Sequence, residues 1–416
     1  MSLSFSSKEL GIAKVEKIQT FLYFCRKFDP MNSNSTVYLA SKPRYEILDG
    51  LRGVAAVLVV LFHMFETYSK GPAYQIINHG YLAVDFFFAL SGFVIGYAYD
   101  DRWNKMTTWG FFKRRLVRLH PMLIMGTVVG ACLYFFGQCE QFGLVGYASG
   151  WKFLIAFIFG LFLIPCGNGL DVRGWGEMNP LNGPQWSLTF EYLANILYAF
   201  VLRRIGKVAL GILTAAAAFC TLDLCLNWNV FGVLTPGRDS HMFTVIGGWS
   251  ITVEQMYIGS TRLLYPFLSG LLISRIGRHI NVKGGFWWCS LLLAAAFSIP
   301  CIGGEGSILN GIYNAGCILV LFPILIMMGA GSQIKGEKSA RICSFLGEIS
   351  YPLYITHYPI MYMQMNWAWN NPEAPLYAHI VVGVSTFLLS VGLAYACLKL
   401  YDIPVRRWLT EKWLKR

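Results

Sequence analysis

The chain reads as a succession of apolar runs, most about the length of a bilayer-crossing helix, separated by short turns rich in Lys and Arg. The first run is RYEILDGLRGVAAVLVVLFHMFETY, from Arg44 to Tyr68, and the second is YLAVDFFFALSGFVIGYAY, from Tyr81 to Tyr99. A third opens at Pro121. Further crossings are expected near residues 186–202, 208–226, 263–276, 285–301, 311–330, 344–364 and 377–400. The run WKFLIAFIFGLFLIP, residues 151–165, is short for a span and reads as interfacial or re-entrant. The pattern predicts an all-α fold: a polytopic transmembrane helical bundle of about ten membrane-spanning helices plus one interfacial or re-entrant segment.

Polar side chains inside such runs are costly unless partnered or used, which makes them the candidates for chemistry. The first run holds Asp49, Arg52, His63 and Glu66. At helical pitch Arg52 and His63 lie about 20° apart around the axis and roughly 16 Å apart along it. Asp49 and Glu66 fall within about 60° of the same direction, so one face carries a polar stripe. If the first two runs form an antiparallel hairpin, Asp85 comes to the depth of His63. A carboxylate there, Asp85 or alternatively Glu66, would fix the histidine tautomer and favour its protonated form. Ser91-Gly92 would lie deeper, where a small residue permits close backbone approach.

Later runs add fewer candidates. Glu191, a turn or two inside GPQWSLTFEYLANILYAF, needs a partner, and Arg173, Asn182 and Trp186 are the expected neighbours. In FLGEISYPLYITHYPIMYM, Tyr354 and His357 are one turn apart and should point into the bundle, while Pro352 and Pro359 free backbone groups. Arg115 and Arg118 share a helix face at the membrane surface, either as ordinary anchoring or as a clamp for phosphate groups. The 227–262 loop mixes aromatic and polar groups, as interfacial aromatics do and as carbohydrate-facing loops do.

Composition agrees with the membrane class: 55% of residues are hydrophobic and 13% charged. The net charge of +12 does not point to nucleic acid, because the basic residues sit in turns rather than in a soluble patch. Most of the 34 Lys and Arg fall in six clusters: residues 1–44, 100–120, 203–207, 275–283, 335–341 and from 399 onward. Placing all six in the cytoplasm puts both termini inside, makes the number of crossings even, and directs Arg52 inward and His63 outward. Residues 1–43 then form a basic amphipathic cytoplasmic tail, 44–401 a transmembrane domain, and 402–416 a second basic cytoplasmic tail. The eleven cysteines show no metal-binding spacing and read as small buried hydrophobes, so no metal site is expected.

Five segments occur in an order that resembles the acyltransferase 3 family of integral membrane acyltransferases, of the O-antigen and exopolysaccharide O-acetylase type. They are LDGLRGVAAVLVVLFH, AVDFFFALSGFVIG, KRRLVRLHP, GPQWSLTFEY and LGEISYPLYITHYPI, and they span roughly residues 44–400. The resemblance implies acyl transfer from cytoplasmic acyl-CoA, with acetyl-CoA as the default co-substrate and no permanently bound cofactor. It implies that His63 is the essential residue and that Arg52, Arg115 and Arg118 serve the donor; Ser91 is grouped with them. The segment WSLTFEYLAN departs from the second acidic residue and aromatic pair that many members carry after Glu191. The expected reaction is O-acylation of a carbohydrate or lipid-linked sugar in a bacterial inner membrane, with His63 as general base. Asp85, Glu66 and Glu191 support the base, and Asp49, Tyr354 and His357 complete the cavity. The competing class is a transporter or flippase using the same polar residues; no inverted repeat supports it, and CoA release from acetyl-CoA would separate the two.

Overall fold

The computed structural model describes residues 42–304 and 306–415, so the expected amphipathic tail falls outside the described residues except for its last two positions. Among the described residues there is no β-strand, and the backbone forms eleven helices. These are α1 (Glu46–Glu66), α2 (Ala83–Tyr99), α3 (Thr108–Tyr134), α4 (Gly150–Phe162), α5 (Gln185–Phe200) and α6 (Lys207–Cys225). They continue with α7 (Val253–Ile276), α8 (Gly285–Ser298), α9 (Ile308–Gly331), α10 (Glu337–Asn370) and α11 (Leu376–Leu414). Six of them, α1, α2, α3, α6, α9 and α11, are long and apolar enough to cross a membrane. The helix α5 has only 16 residues, while α7 and α10 are long but interrupted by charged and polar positions.

Several boundaries differ from those read off the sequence. Helix α3 starts at Thr108, not Pro121, because the Thr107 side chain accepts a hydrogen bond from the Gly110 N–H and caps it there. Pro121 is accommodated inside the helix, where the Tyr351 hydroxyl donates to the nearby Leu119 carbonyl at 2.6 Å. In α10, Pro359 cannot donate to the Ile355 carbonyl, and the Asn182 side chain does so instead at 2.8 Å. Helix α7 begins ten residues before the expected crossing, capped by Thr252. Helix α11 runs on without a break through residue 401.

Two helix pairs organise the bundle: α1 packs along α10, and α2 along α7. In the second pair Gly92 lies against the Phe267 carbonyl and Gly270 against the Ala89 carbonyl, so a Cβ at either position would collide with backbone. Both pairs are parallel. Arg52 meets Ser350 and His63 meets Tyr358 along α1 and α10, while Asp85 meets Arg262 and Asp100 meets Arg275 along α2 and α7. At one end of the bundle a cleft of about 510 Å³ is lined by Lys42, Asp100, Asp101, Arg203, Lys207 and Arg275. Basic residues from three of the six clusters therefore share one end.

Candidate active site

His63 projects from the last turn of α1, one-fifth exposed, with its Nδ1 2.7 Å from Glu66 Oε2 one turn further on. A carboxylate only accepts, so Nδ1 carries the ring proton and Nε2 presents a lone pair. The facing wall comes from α10. The Tyr358 ring meets the imidazole edge-on at 4.6 Å between centroids, and the His357 ring lies 5.5 Å away. His357 is fully buried, and its Nδ1 faces the carbonyls of Tyr354 (2.9 Å) and Leu353 (3.1 Å). Its Nε2 is therefore a second lone-pair nitrogen, buried and without a partner among the described residues. Tyr354, expected in the same cavity, is buried, shares a 2.8 Å hydrogen bond with Ser187, and packs against Phe87.

Toward the other end of α1 the guanidinium of Arg52 pairs with Asp49 (3.0 Å) and donates to the Ser350 hydroxyl (2.9 Å). On α3, Arg115 is buried and its Nη2 donates to Glu191 Oε1 at 2.6 Å; the same oxygen accepts from the Ser91 hydroxyl at 2.6 Å. Glu191 thus has Arg115 as its partner and not the expected Arg173. Arg118 is exposed, makes no hydrogen bond among the described residues, and lies within electrostatic reach of Arg52, Arg115, Asp49 and Arg406. Three arginines, from α1, α3 and α11, thereby gather around exposed Arg118, an arrangement suited to phosphate groups.

The structure does not bring Asp85 to His63. Its carboxylate is fully buried and held by Arg262, with Nη2 at 2.8 Å and Nε at 3.2 Å. Arg262 also donates to the carbonyls of Tyr81 and Gly247 and lies over the Trp186 ring. The physical reason is charge: a fully buried carboxylate must neutralise against a cation. Of the two carboxylates considered for His63, Glu66 holds the position.

Three residues near the site were not anticipated in these roles. Arg262 lies outside the six basic clusters and 177 residues from Asp85, so the sequence carries no signal that the two pair. Arg173 sits in an aromatic cage, 3.5 Å over the Tyr362 ring and 5.0 Å from Phe142. Glu177, in the loop between α4 and α5, is buried and accepts from the Tyr362 hydroxyl at 2.8 Å. Its sequence surroundings, WGEMNP, resemble any solvated loop.

The sequence matches an acyltransferase-domain family over residues 45–398, most of the chain. It is 36% identical over 163 residues to Protein 2 in picA locus of Rhizobium radiobacter, covering 38% of this chain and 81% of that one. It is 25% identical over 341 residues to Acyltransferase MdmB of Streptomyces mycarofaciens, covering 76% of this chain and 79% of that one. Similarity to O-acetyltransferase OatA of Staphylococcus aureus is 22% over 391 residues, covering 88% of this chain but 58% of OatA. The chain thus matches little more than half the length of the OatA proteins. No solved structure matches it.

Proposed function

We propose, from the premise that this chain belongs to the acyltransferase 3 family of integral membrane acyltransferases, that it moves an acetyl group from acetyl-CoA to a hydroxyl of a carbohydrate or lipid-linked sugar, with His63 as general base. The observation that carries this reading is the His63–Glu66 pair, in which the carboxylate faces Nδ1 of a side chain one-fifth exposed and leaves Nε2 as the base nitrogen. The acceptor oxygen attacks the thioester carbonyl carbon as its proton passes to His63 Nε2. The C–S bond then breaks and the departing thiolate takes that proton. Glu66 stabilises the imidazolium between the two events and keeps the ring in the productive tautomer. Arg52, Arg115 and Arg118 receive the phosphates of the donor, leaving the pantetheine arm to reach His63 along the α1 stripe.

Topology supports delivery from opposite sides. Parallel α2 and α7 require an even number of crossings from one to the other, and parallel α1 and α10 require the same. Both conditions are met when every helix crosses except α4, which at 13 residues is read as a segment that returns to its own side. Ten crossings follow, and with the basic cleft in the cytoplasm the arginines face the donor and His63 the outer half. The test is His63→Ala, purified and shown to be folded. CoA release coupled to acylation is expected to fall by about 10²- to 10⁴-fold, the usual contribution of a general base, and full retention of activity would sink the assignment.

A further inference from the structure

The last turns of α11 carry charge into the arginine cluster around Arg118. Pro404 gives the backbone no N–H to donate, and the helix widens to π geometry over Leu398–Asp402 just before it. The helix does not stop there. The segment after residue 401 packs along α3, which carries Arg115 and Arg118. Asp402 is 1% exposed, and Arg406, one turn on, donates to its Oδ2 at 2.8 Å. Both lie within electrostatic reach of Arg118. Tyr351 of α10, whose hydroxyl is fixed on the Leu119 carbonyl, lies within the same reach of Arg115 and of Asp402. Residues 402–414 are thus one wall of the arginine cluster and not a separate tail.

Pairing the charges shows what the cluster lacks. Arg52 has Asp49, Arg115 has Glu191 and Arg406 has Asp402, at 3.0, 2.6 and 2.8 Å. Arg118 is the surplus cation: it is exposed and has no carboxylate of its own among the described residues. Hydrogen bonding is unbalanced in the same place. Asp402 Oδ1 is a buried acceptor and Arg115 Nε a buried donor, both without partners among the described residues. Unmet groups of this kind are costly, and a ligand that brings an anion together with a hydrogen-bond donor answers them. A phosphate carried on a sugar does so, whereas a bare anion brings only the charge.

We infer that Arg406, held in place by Asp402, binds the 3′-phosphate of the CoA donor beside Arg118. The inference rests on the acyl-transfer reading above and adds to it a residue from the far end of the chain. In CoA the thioester and the 3′-phosphate stand at opposite ends, with pantetheine and the diphosphate between them. His63 lies at one end of the polar stripe and the arginines at the other, and the Arg406 side chain, 36% exposed, is on the rim of the cluster. It therefore meets the phosphate farthest from the thioester. The ribose 2′-hydroxyl next to that phosphate is the donor that Asp402 Oδ1 lacks.

The experiment measures binding of CoA and of 3′-dephospho-CoA to the full chain in phosphatidylcholine nanodiscs by titration calorimetry. The wild type is expected to bind CoA about ten-fold or more tightly than dephospho-CoA. Arg406→Gln should weaken CoA by about ten-fold and dephospho-CoA by less than about two-fold, a pattern that loss of packing alone does not give. Asp402→Asn should lose part of the preference, and Arg407→Gln, at the exposed neighbouring position, none of it. Should the glutamine variant not fold, Arg406→Lys, which keeps the charge but not the planar fork, should still reduce the preference. An equal loss for both ligands in a folded Arg406 variant, or a wild type without preference, would overturn the inference. Competition by added phosphatidylglycerol that Arg406→Gln abolishes would give the arginine to lipid headgroups and overturn it as well. Acetyl transfer assayed on the same preparations separates the two readings. Transfer without the 3′-phosphate preference sinks only the role of Arg406, and the preference without any transfer sinks only the acyl-transfer reading.

Discussion

Two carboxylates compete on sequence grounds for the role of His63 partner, and the structure assigns them opposite consequences. Glu66→Gln removes a carboxylate 2.7 Å from Nδ1 while keeping an oxygen that can accept the same proton. A charge-assisted hydrogen bond is worth roughly 1.5–3 kcal/mol. The Glu66 side chain is 40% exposed, so water screens part of that, and about 1 kcal/mol of imidazolium stabilisation is the appropriate figure. The expected result is a fall in kcat of about 5- to 10-fold with the KM for acetyl-CoA unchanged. Asp85→Asn leaves the Arg262 guanidinium, whose side chain is 3% exposed, without its counter-charge. Breaking such a pair costs roughly 3–5 kcal/mol, so this variant should show a lowered melting temperature and a poor folded yield. The fraction that survives size-exclusion chromatography should turn over at close to the wild-type rate. The assay is thiol release from acetyl-CoA, normalised to monodisperse protein, alongside melting curves of each variant. A fully active Glu66→Gln together with a folded but inactive Asp85→Asn would refute the assignment and return Asp85 to the catalytic site.

Two further outcomes follow from buried charge. Burial pushes the Glu177 carboxyl up to about 7, so between pH 4.5 and about 7 the folded protein holds a proton that the unfolded chain has lost. Stability from this group is greatest below the unfolded value and is lost as pH rises through about 7, by at most roughly 3 kcal/mol. Glu177→Gln should therefore gain melting temperature relative to wild type at pH 8 but not at pH 5, and an equal difference at both pH values would contradict the burial argument. Glu191→Ala strands Arg115 and should destabilise by about 3–5 kcal/mol, whereas the double change Arg115→Met with Glu191→Leu should recover most of that loss. Melting curves that show no recovery would mean the pair is not the principal reason for the destabilisation.

The parts of the fold legible in the sequence are those carried by local periodicity. The α1 stripe was predictable because its pairs, Asp49 with Arg52 and His63 with Glu66, are three residues apart and lie on one face by helical geometry alone. Helix ends were less legible, because hydropathy marks where apolar surface stops and not where backbone hydrogen bonding stops. Capping by Thr107 and Thr252 extends α3 and α7 into polar sequence that no apolar window includes.

Charges whose partners lie far away in the chain set the limit. For Asp85 and Glu191 the cost of burial shows from the sequence that a partner must exist, but the partners, Arg262 and Arg115, are 177 and 76 residues away. A buried carboxylate pairs with whichever cation the packing brings, and packing is a property of the whole bundle. Asp85 illustrates the consequence: the hairpin register places it near the depth of His63, and the close approach of α2 to α7 at Gly92 and Gly270 gives it to Arg262 instead. The partner of His63 could be read only because it is local. Glu177 is the extreme case, since neither helical period nor membrane cost applies to a loop residue. It becomes visible only when Tyr362 and Gly183 are seen to enclose it, a contact that the packing of the α4–α5 loop against α10 creates.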